Sequence, residues 1–293
     1  MRQQKLKHVY RCLKCGFYSS DLPIKINHLQ IIDESIREYA LKPIRINNFN
    51  QILNECADLF PDRIRVLDVG CAHGWFLEAV TARGYLAVGL EPDETMASKA
   101  RAAGHEVVMG FFPEDLAAED QYDLITFHDV FEHLPKLDAV VETVYLRLNE
   151  NGIVIINLPV SDGLIFRLAR ALTRLGYKSV LSRMWQVNLP SPHLSYFSAV
   201  TLQRLMVRHG FEPIRSGSLE AFLTKGLYNR IRYDRSVGAA KAAFLYTAAR
   251  MLKLITGLFA SDIQYFVFRK QPLPDRLANA MNGVREGVHL KRQ

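Results

Sequence analysis

The chain has 293 residues, 49% of them apolar, and a formal charge of +7. That size buries a substantial core, which excludes a disordered chain and a disulfide-framed miniprotein. The modest basic excess suits an anionic partner, or no more than a solvated surface.

Four cysteines make no secreted framework and no charged-then-apolar leader opens the chain, so a reducing, cytoplasmic setting is expected. The most apolar long stretch, Ala239 to Ala260, is interrupted by Lys241, Arg250 and Lys253, which are costly at a bilayer centre. It does not read as a membrane span.

Residues 1–30 are basic and carry Cys12 and Cys15 with Gly16 behind them, the form of a single zinc knuckle. One knuckle supplies two ligands and a structural zinc needs four. His8 and His28 lie at no familiar spacing, so an incomplete zinc site and a metal-free remnant both stay open. Residues 31–60 read as covering helices, with Ile31, Ile32, Ile36 and Tyr39 on one face and a break at Pro43.

From Arg63 strands and helices alternate, the pattern of a parallel sheet covered on both faces. Strands are predicted at Arg65 to Val69, Leu86 to Leu90, Glu106 to Met109, Tyr122 to Phe127 and Gly152 to Asn157. Helices follow from Trp75 to Arg83, from Pro92 to Gly104 and from Leu137 to Leu148. After Pro159 the rhythm loosens into a helix at Leu164 to Leu175, with Arg167, Arg170 and Arg174 on its polar side.

A proline- and aromatic-rich stretch, Trp185 to Tyr196, precedes a helix at Ala199 to His209 and a strand at Phe211 to Arg215. The last strand is Gln264 to Phe268, and residues 271–293 read as a polar tail. Between the final strands lies a helical insertion, about 219–262, whose basic flanks suit a lipid headgroup surface as well as ordinary packing on the domain.

In an open parallel sheet, ligands bind beyond the carboxyl ends of the strands. The first strand ends in a turn with Gly70, Ala72 and Gly74, a backbone cradle at a helix start. The second ends at Glu91, placed to accept from ribose hydroxyls. After the third come Phe111, Phe112 and Glu114, suited to an adenine edge and face, and after the fourth His128 to Leu134. A nicotinamide enzyme shares the first two features without needing the rest.

Taken together, Leu67-Asp68-Val69-Gly70-Cys71 with Gly74, Gly89-Leu90-Glu91-Pro92, Tyr122 to Ile125, Val130 to Leu134 and Asn151-Gly152 resemble the class I S-adenosylmethionine-dependent methyltransferases. The group nearest to them includes ubiquinone-biosynthesis O-methyltransferases and glycan- or lipid-tailoring enzymes. His193 to Ser198, Leu202 and Gly210-Phe211 continue the match. The resemblance implies a Rossmann-like α/β fold: a seven-stranded, mostly parallel sheet with helices on both faces and an antiparallel last strand. The methyltransferase domain then spans about 61–270, with an acceptor lid at about 160–197.

By position, the resemblance gives the amino acid end of S-adenosylmethionine to Asp68 and to the backbone of Gly70, Cys71, Ala72 and Gly74. Glu91 takes the ribose, Phe112 flanks adenine and His128 sits on the cofactor's open side. Each has a plainer reading: Asp68 as a turn brace, Phe112 as core, His128 as a satisfied buried imidazole. Ala72 replaces a family glycine, tolerable if its φ is negative.

His133, then His193, are the candidate bases for deprotonating an acceptor hydroxyl, with helix capping as the plainer role of His133. A metal on Glu132 and His133 ranks below these. The function implied is O-methylation of a small-molecule, glycan or lipid-linked intermediate. A non-catalytic cofactor-binding protein on a membrane-associated complex is the alternative. No nucleic-acid partner is expected, because no base-flipping tetrapeptide follows the fourth strand.

Overall fold

The computed structural model describes residues 2–26, 34–117, 119–221, 227–228, 231, 237–256 and 261–272. Its main sheet is built from β4 (Arg65–Val69), β5 (Leu86–Glu91), β6 (Glu106–Met109), β7 (Tyr122–His128), β8 (Leu148–Pro159), β10 (Phe211–Leu219) and β11 (Ile263–Lys270). They lie in the order β10-β11-β8-β7-β4-β5-β6, with β11 antiparallel to both neighbours. The pairs β4–β5, β5–β6, β4–β7 and β7–β8 are parallel. This is the Rossmann-like sheet with an antiparallel last strand that the resemblance implied. The strand order reverses between β4 and β7, which opens a crevice beyond their carboxyl ends.

The apolar runs that read as strands are buried on both faces, with alternate residues serving two cores. On β8, Val154, Ile156 and Leu158 enter one core while Ile153 and Ile155 enter the other. Likewise, Phe266 and Phe268 of β11 join the first, Tyr265 and Val267 the second. The flanking helices α2 (Trp75–Thr81), α3 (Glu94–Ala102), α4 (Leu137–Arg147) and α7 (Ala199–Arg208) connect the strands. Asp93 caps α3 by accepting from the Met96 N–H at 3.0 Å, and Ser198 closes a capping box on α7.

Three features depart from the sequence reading. The expected break at Pro43 does not occur: α1 is one helix, Glu34–Glu55, running through that proline. Pro43 lies on the exposed side, where a carbonyl deprived of its helical donor can turn to water. Further along, Phe49, Ile52 and Leu53 anchor the helix in the second core. Tyr39, expected on the covered face, is 46% exposed, and Ile31 and Ile32 lie outside the described residues.

The N-terminal segment is β structure: β1 (Arg2–Leu6), β2 (Val9–Cys12) and β3 (Tyr18–Ser20) form an antiparallel sheet completed by β9 (Ser195–Tyr196). Finally, the lid region contains α5 (Leu164–Arg174) and a second helix, α6 (Lys178–Met184), that periodicity did not reveal. Val9, Tyr18, Phe166, Leu181, Trp185 and Tyr196 pack these pieces into one small core. In the insertion between β10 and β11 lies α8 (Ala239–Thr256), and the tail from residue 273 falls outside the described residues.

Candidate active site

A cavity of about 1160 Å³ occupies the crevice, lined by the cradle, Glu91, Phe112, the segment after β7, α1 and the 186–193 loop. Its cofactor end is built by local chain. The first glycine, Gly70, has φ +70°, and a Cβ there would stand 2.5 Å from Val130 Cγ2. The backbone of β4 therefore meets the segment after β7 only with glycine at this turn. Its N–H donates to the Leu90 carbonyl at 2.7 Å, tying the cradle to β5.

Glu91 is buried and braces the turn through both oxygens. Oε2 accepts from the Ala72 N–H at 2.8 Å, and Oε1 from the Asp93 N–H at 2.9 Å. A carboxylate offers about four acceptor sites, so bracing is compatible with holding ligand hydroxyls. Ala72 itself has φ +46°, not the negative value that would make an alanine comfortable. Cys71 is buried with its Sγ against Gly89, and burial pushes its thiol far up.

Asp68 accepts from the Thr126 hydroxyl at 2.8 Å at the floor of the cavity. Burial pushes its carboxyl up to about 8, with the Thr126 bond opposing and the Glu91 charge assisting. Phe112 lines the cavity and also belongs to the core, edge-on to Phe127 at 5.5 Å. His128 sits between the rings of Phe49 and Phe76, at 4.7 and 4.1 Å. With Asn157 Oδ1 as acceptor, its proton is on Nδ1 and Nε2 has no hydrogen-bond partner among the described residues, while burial lowers its pKa to about 3.

Distant segments build the other end. A short turn, Phe131–His133, presents Glu132 and His133, and the loop before β9 brings in His193. The Nε2 atoms of both histidines lie 3.9 Å from the same Glu132 oxygen, and their rings meet edge to face at 4.6 Å. His133 Nδ1 donates to the Pro192 carbonyl at 3.0 Å, which leaves Nε2 as its basic nitrogen. His193 Nε2 accepts from the Gln186 amide at 3.0 Å, and burial drives its pKa down to about 3.

Glu132 is 1% exposed and neither oxygen has a hydrogen-bond partner among the described residues, and burial pushes its carboxyl up to about 8 against the opposing Arg45 charge. One ligand atom from each of Glu132, His133 and His193 lies within 4.8 Å of the others, a group able to hold a metal ion. Among the described residues it is the one such group. Cys12 ends β2 and Cys15 lies in the turn to β3, shaped by Gly16 at φ +82°. Backbone N–H groups of Cys15 and Lys14 lower the Cys12 thiol to about 7, but no third ligand joins the pair among the described residues. His8 is bonded to Asp21 at 2.8 Å, and His28 lies outside the described residues.

Sequence reasoning missed the part played by α1. Glu38, Lys42, Arg45 and Phe49, spaced along one face, reach His73, Trp75, Asp129 and His128 in turn. An acid followed by two bases at helical spacing was the available signal. It also missed the N-terminal strap: the Ser20 hydroxyl donates to the His193 carbonyl at 2.7 Å and the Lys25 N–H to Pro190 at 2.8 Å.

The methyltransferase domain family matches residues 37–216. Ubiquinone biosynthesis O-methyltransferases of Pseudomonas savastanoi pv. phaseolicola and Pseudomonas putida are 29% and 30% identical over 123 residues, 39% of this chain. The match spans half the length of those relatives. Among solved structures, a putative sarcosine dimethylglycine methyltransferase from Galdieria sulphuraria has TM-score 0.55 at 16% identity, covering 84% of this chain and 94% of its own. A cyclopropane synthase from Mycobacterium tuberculosis has TM-score 0.54 at 17% identity, covering 75% and 84%. At such identities the two show a shared fold.

Proposed function

We propose, from the premise that the chain belongs to the methyltransferase domain family and is an S-adenosylmethionine-dependent methyltransferase, that it O-methylates a small-molecule, glycan or lipid-linked acceptor with His133 as base. The cofactor supplies an already electrophilic methyl, so the chain's task is alignment, water exclusion and removal of one proton. Asp68 and the cradle backbone hold the amino acid end, Glu91 the ribose and Phe112 the adenine. The buried, neutral His128 adds no cationic charge beside the sulfonium.

One observation carries the assignment of the acceptor end: a buried carboxyl with no hydrogen-bond partner among the described residues, Glu132, facing two imidazole Nε2 atoms inside the cavity. An acceptor hydroxyl lying there is within reach of the basic Nε2 of His133, whose ring the Pro192 carbonyl orients. His193, neutral and engaged by Gln186, holds the geometry.

Incubating labelled S-adenosylmethionine with fractionated small molecules, glycans and lipids tests the reading. Label is expected on a hydroxyl oxygen of one fraction; label on nitrogen or carbon, or none, overturns it. A second reading rests on the three ligand atoms within 4.8 Å of one another, where a divalent cation would acidify the hydroxyl instead. Turnover abolished by a chelator and restored by one metal would favour it.

A further inference from the structure

The chain's positive charge is not spread over the cofactor domain. Residues 163–211 contain seven Lys or Arg and no Asp or Glu, and residues 221–261 contain seven with a single acid, Asp234. These stretches are +7 and +6 while the whole chain is +7, so everything else is net acidic, at −6. The two basic stretches contain α5, α6 and α8.

Both arms leave the sheet at the end that bears the cavity, and their roots touch. Asp262, just before β11, accepts from the Ile165 N–H at 2.7 Å through Oδ1, and its carbonyl accepts from the Val160 N–H at 2.9 Å. Each arm also exposes apolar side chains. On α5, Leu168 and Leu172 are 48% and 37% exposed; Leu175 and Tyr177, before α6, are 74% and 64% exposed. Leu168, Leu172 and Leu175 follow i, i+4, i+7 spacing, one stripe of a helix, and Arg167, Arg174 and Lys178 are exposed around them.

On α8, Phe244 and Met251 are 71% and 56% exposed, with Lys241 and Arg250 beside them. No helix among the described residues is long and apolar enough to cross a membrane. Exposed aliphatic and aromatic side chains among basic ones suit a headgroup boundary, where the apolar tips enter and the cations meet lipid phosphates. A polynucleotide would call for stacking aromatics rather than a leucine stripe.

We propose that α5, α6 and α8 form a two-armed face that docks this chain on an anionic phospholipid bilayer. The insertion had suggested one such arm; the structure adds α5 and α6 and joins the roots at Asp262. Gln186, Leu189 and Pro190, which follow α6 directly, line the cavity, so docking brings its acceptor end to the headgroups. The proposal deepens the lipid-linked reading of the acceptor, yet its test needs no acceptor.

The full chain is sedimented with vesicles of phosphatidylcholine containing roughly one third phosphatidylglycerol, and with vesicles of phosphatidylcholine alone. Binding to the anionic vesicles, weakening as salt is raised, is expected, with little on the neutral ones. Arg174→Gln with Lys178→Gln should weaken partition about 30-fold, the product of two losses of about 1 kcal/mol each. Leu172→Ser with Leu175→Ser, and separately Phe244→Ser with Met251→Ser, should each weaken it at least several-fold. S-adenosylmethionine affinity, expected unchanged in all three, confirms that each variant is folded.

Equal binding to both vesicles, binding to neither, or partition unchanged in the folded variants overturns the proposal. Tighter binding to a homopolymer RNA than to the anionic vesicles also overturns it, in favour of a nucleic-acid face. Vesicle binding without detectable methyl transfer would count against the acceptor reading alone.

Discussion

The two ends of the cavity are built by opposite rules. At the cofactor end, Asp68, Gly70, Ala72 and Glu91 fall within 24 residues, and their polar groups are joined to one another, to backbone or, for Asp68, to the Thr126 hydroxyl. At the acceptor end, Glu132 and His133 meet His193 from some sixty residues away, and the central carboxyl has no hydrogen-bond partner among the described residues. A grip that recurs across many methyltransferases can be set once and fully satisfied. A pocket awaiting a particular acceptor can keep its central carboxyl without a partner, at a cost in stability.

His133→Ala is the widest test of that division. Loss of a general base should lower kcat by about 10² to 10⁴-fold, with S-adenosylmethionine affinity within about twofold of the parent. Calorimetry beside turnover checks it. A variant that turns over normally makes His133 structural, and one that loses cofactor affinity instead erases the boundary between the ends.

From the other side, Glu91→Ala removes the acceptor of two backbone N–H groups along with the ribose contact. Unsatisfied buried donors cost about 1–3 kcal/mol each, so the cofactor Kd should rise about 100-fold. Unchanged affinity in calorimetry would leave Glu91 a brace and nothing more.

Glu132→Gln asks whether the open end stores the cost described above. Asp68 and Glu132 both have folded pKa values raised to about 8. At these two carboxyls the unfolded chain therefore binds fewer protons than the folded one up to pH 8, while the lowered pKa values of His128 and His193 oppose them below about pH 6.5; above pH 6 the carboxyls prevail and stability falls as pH rises. For the cofactor-free protein, Tm should drop from pH 6 to pH 8. Glu132→Gln should flatten part of that slope, worth on the order of a few kcal/mol. Identical slopes in the two proteins would show that Glu132 is not held protonated.

The same contrast explains what could be read from the residues alone. The positions of the central strands, the cradle turn and the acid at Glu91 were legible because each follows from short-range pattern: apolar runs of strand length, glycines at a turn, an acid at the next strand end. β1 to β3 were not, since Arg2 to Ser20 carries little apolar alternation and gains its order by pairing with Ser195–Tyr196. Nor was the course of α1 legible, because Pro43 is a local break signal that burial of Phe49, Ile52 and Leu53 overrides. Glu132 was visible as a residue, but its lack of a partner depends on contacts that only the folded chain brings about.

Ala72 is where the satisfied end keeps a fault of its own. Its N–H donates to Glu91 Oε2, and holding that bond sets the residue at φ +46°, where a Cβ crowds its own backbone. An L-residue there costs about 1–2 kcal/mol relative to its ordinary conformations, whereas glycine enters freely. Ala72→Gly removes that strain and leaves the N–H in place, although the unfolded chain gains roughly 0.4–1 kcal/mol of entropy to lose again on folding. The net is a gain of up to about 1 kcal/mol, a rise in Tm of about 2–4 °C for a domain of this size, with cofactor affinity equal to the parent's or better. A fall in Tm would mean that the alanine methyl stiffens the turn more than it strains it, and that the cradle is tuned at this position rather than compromised.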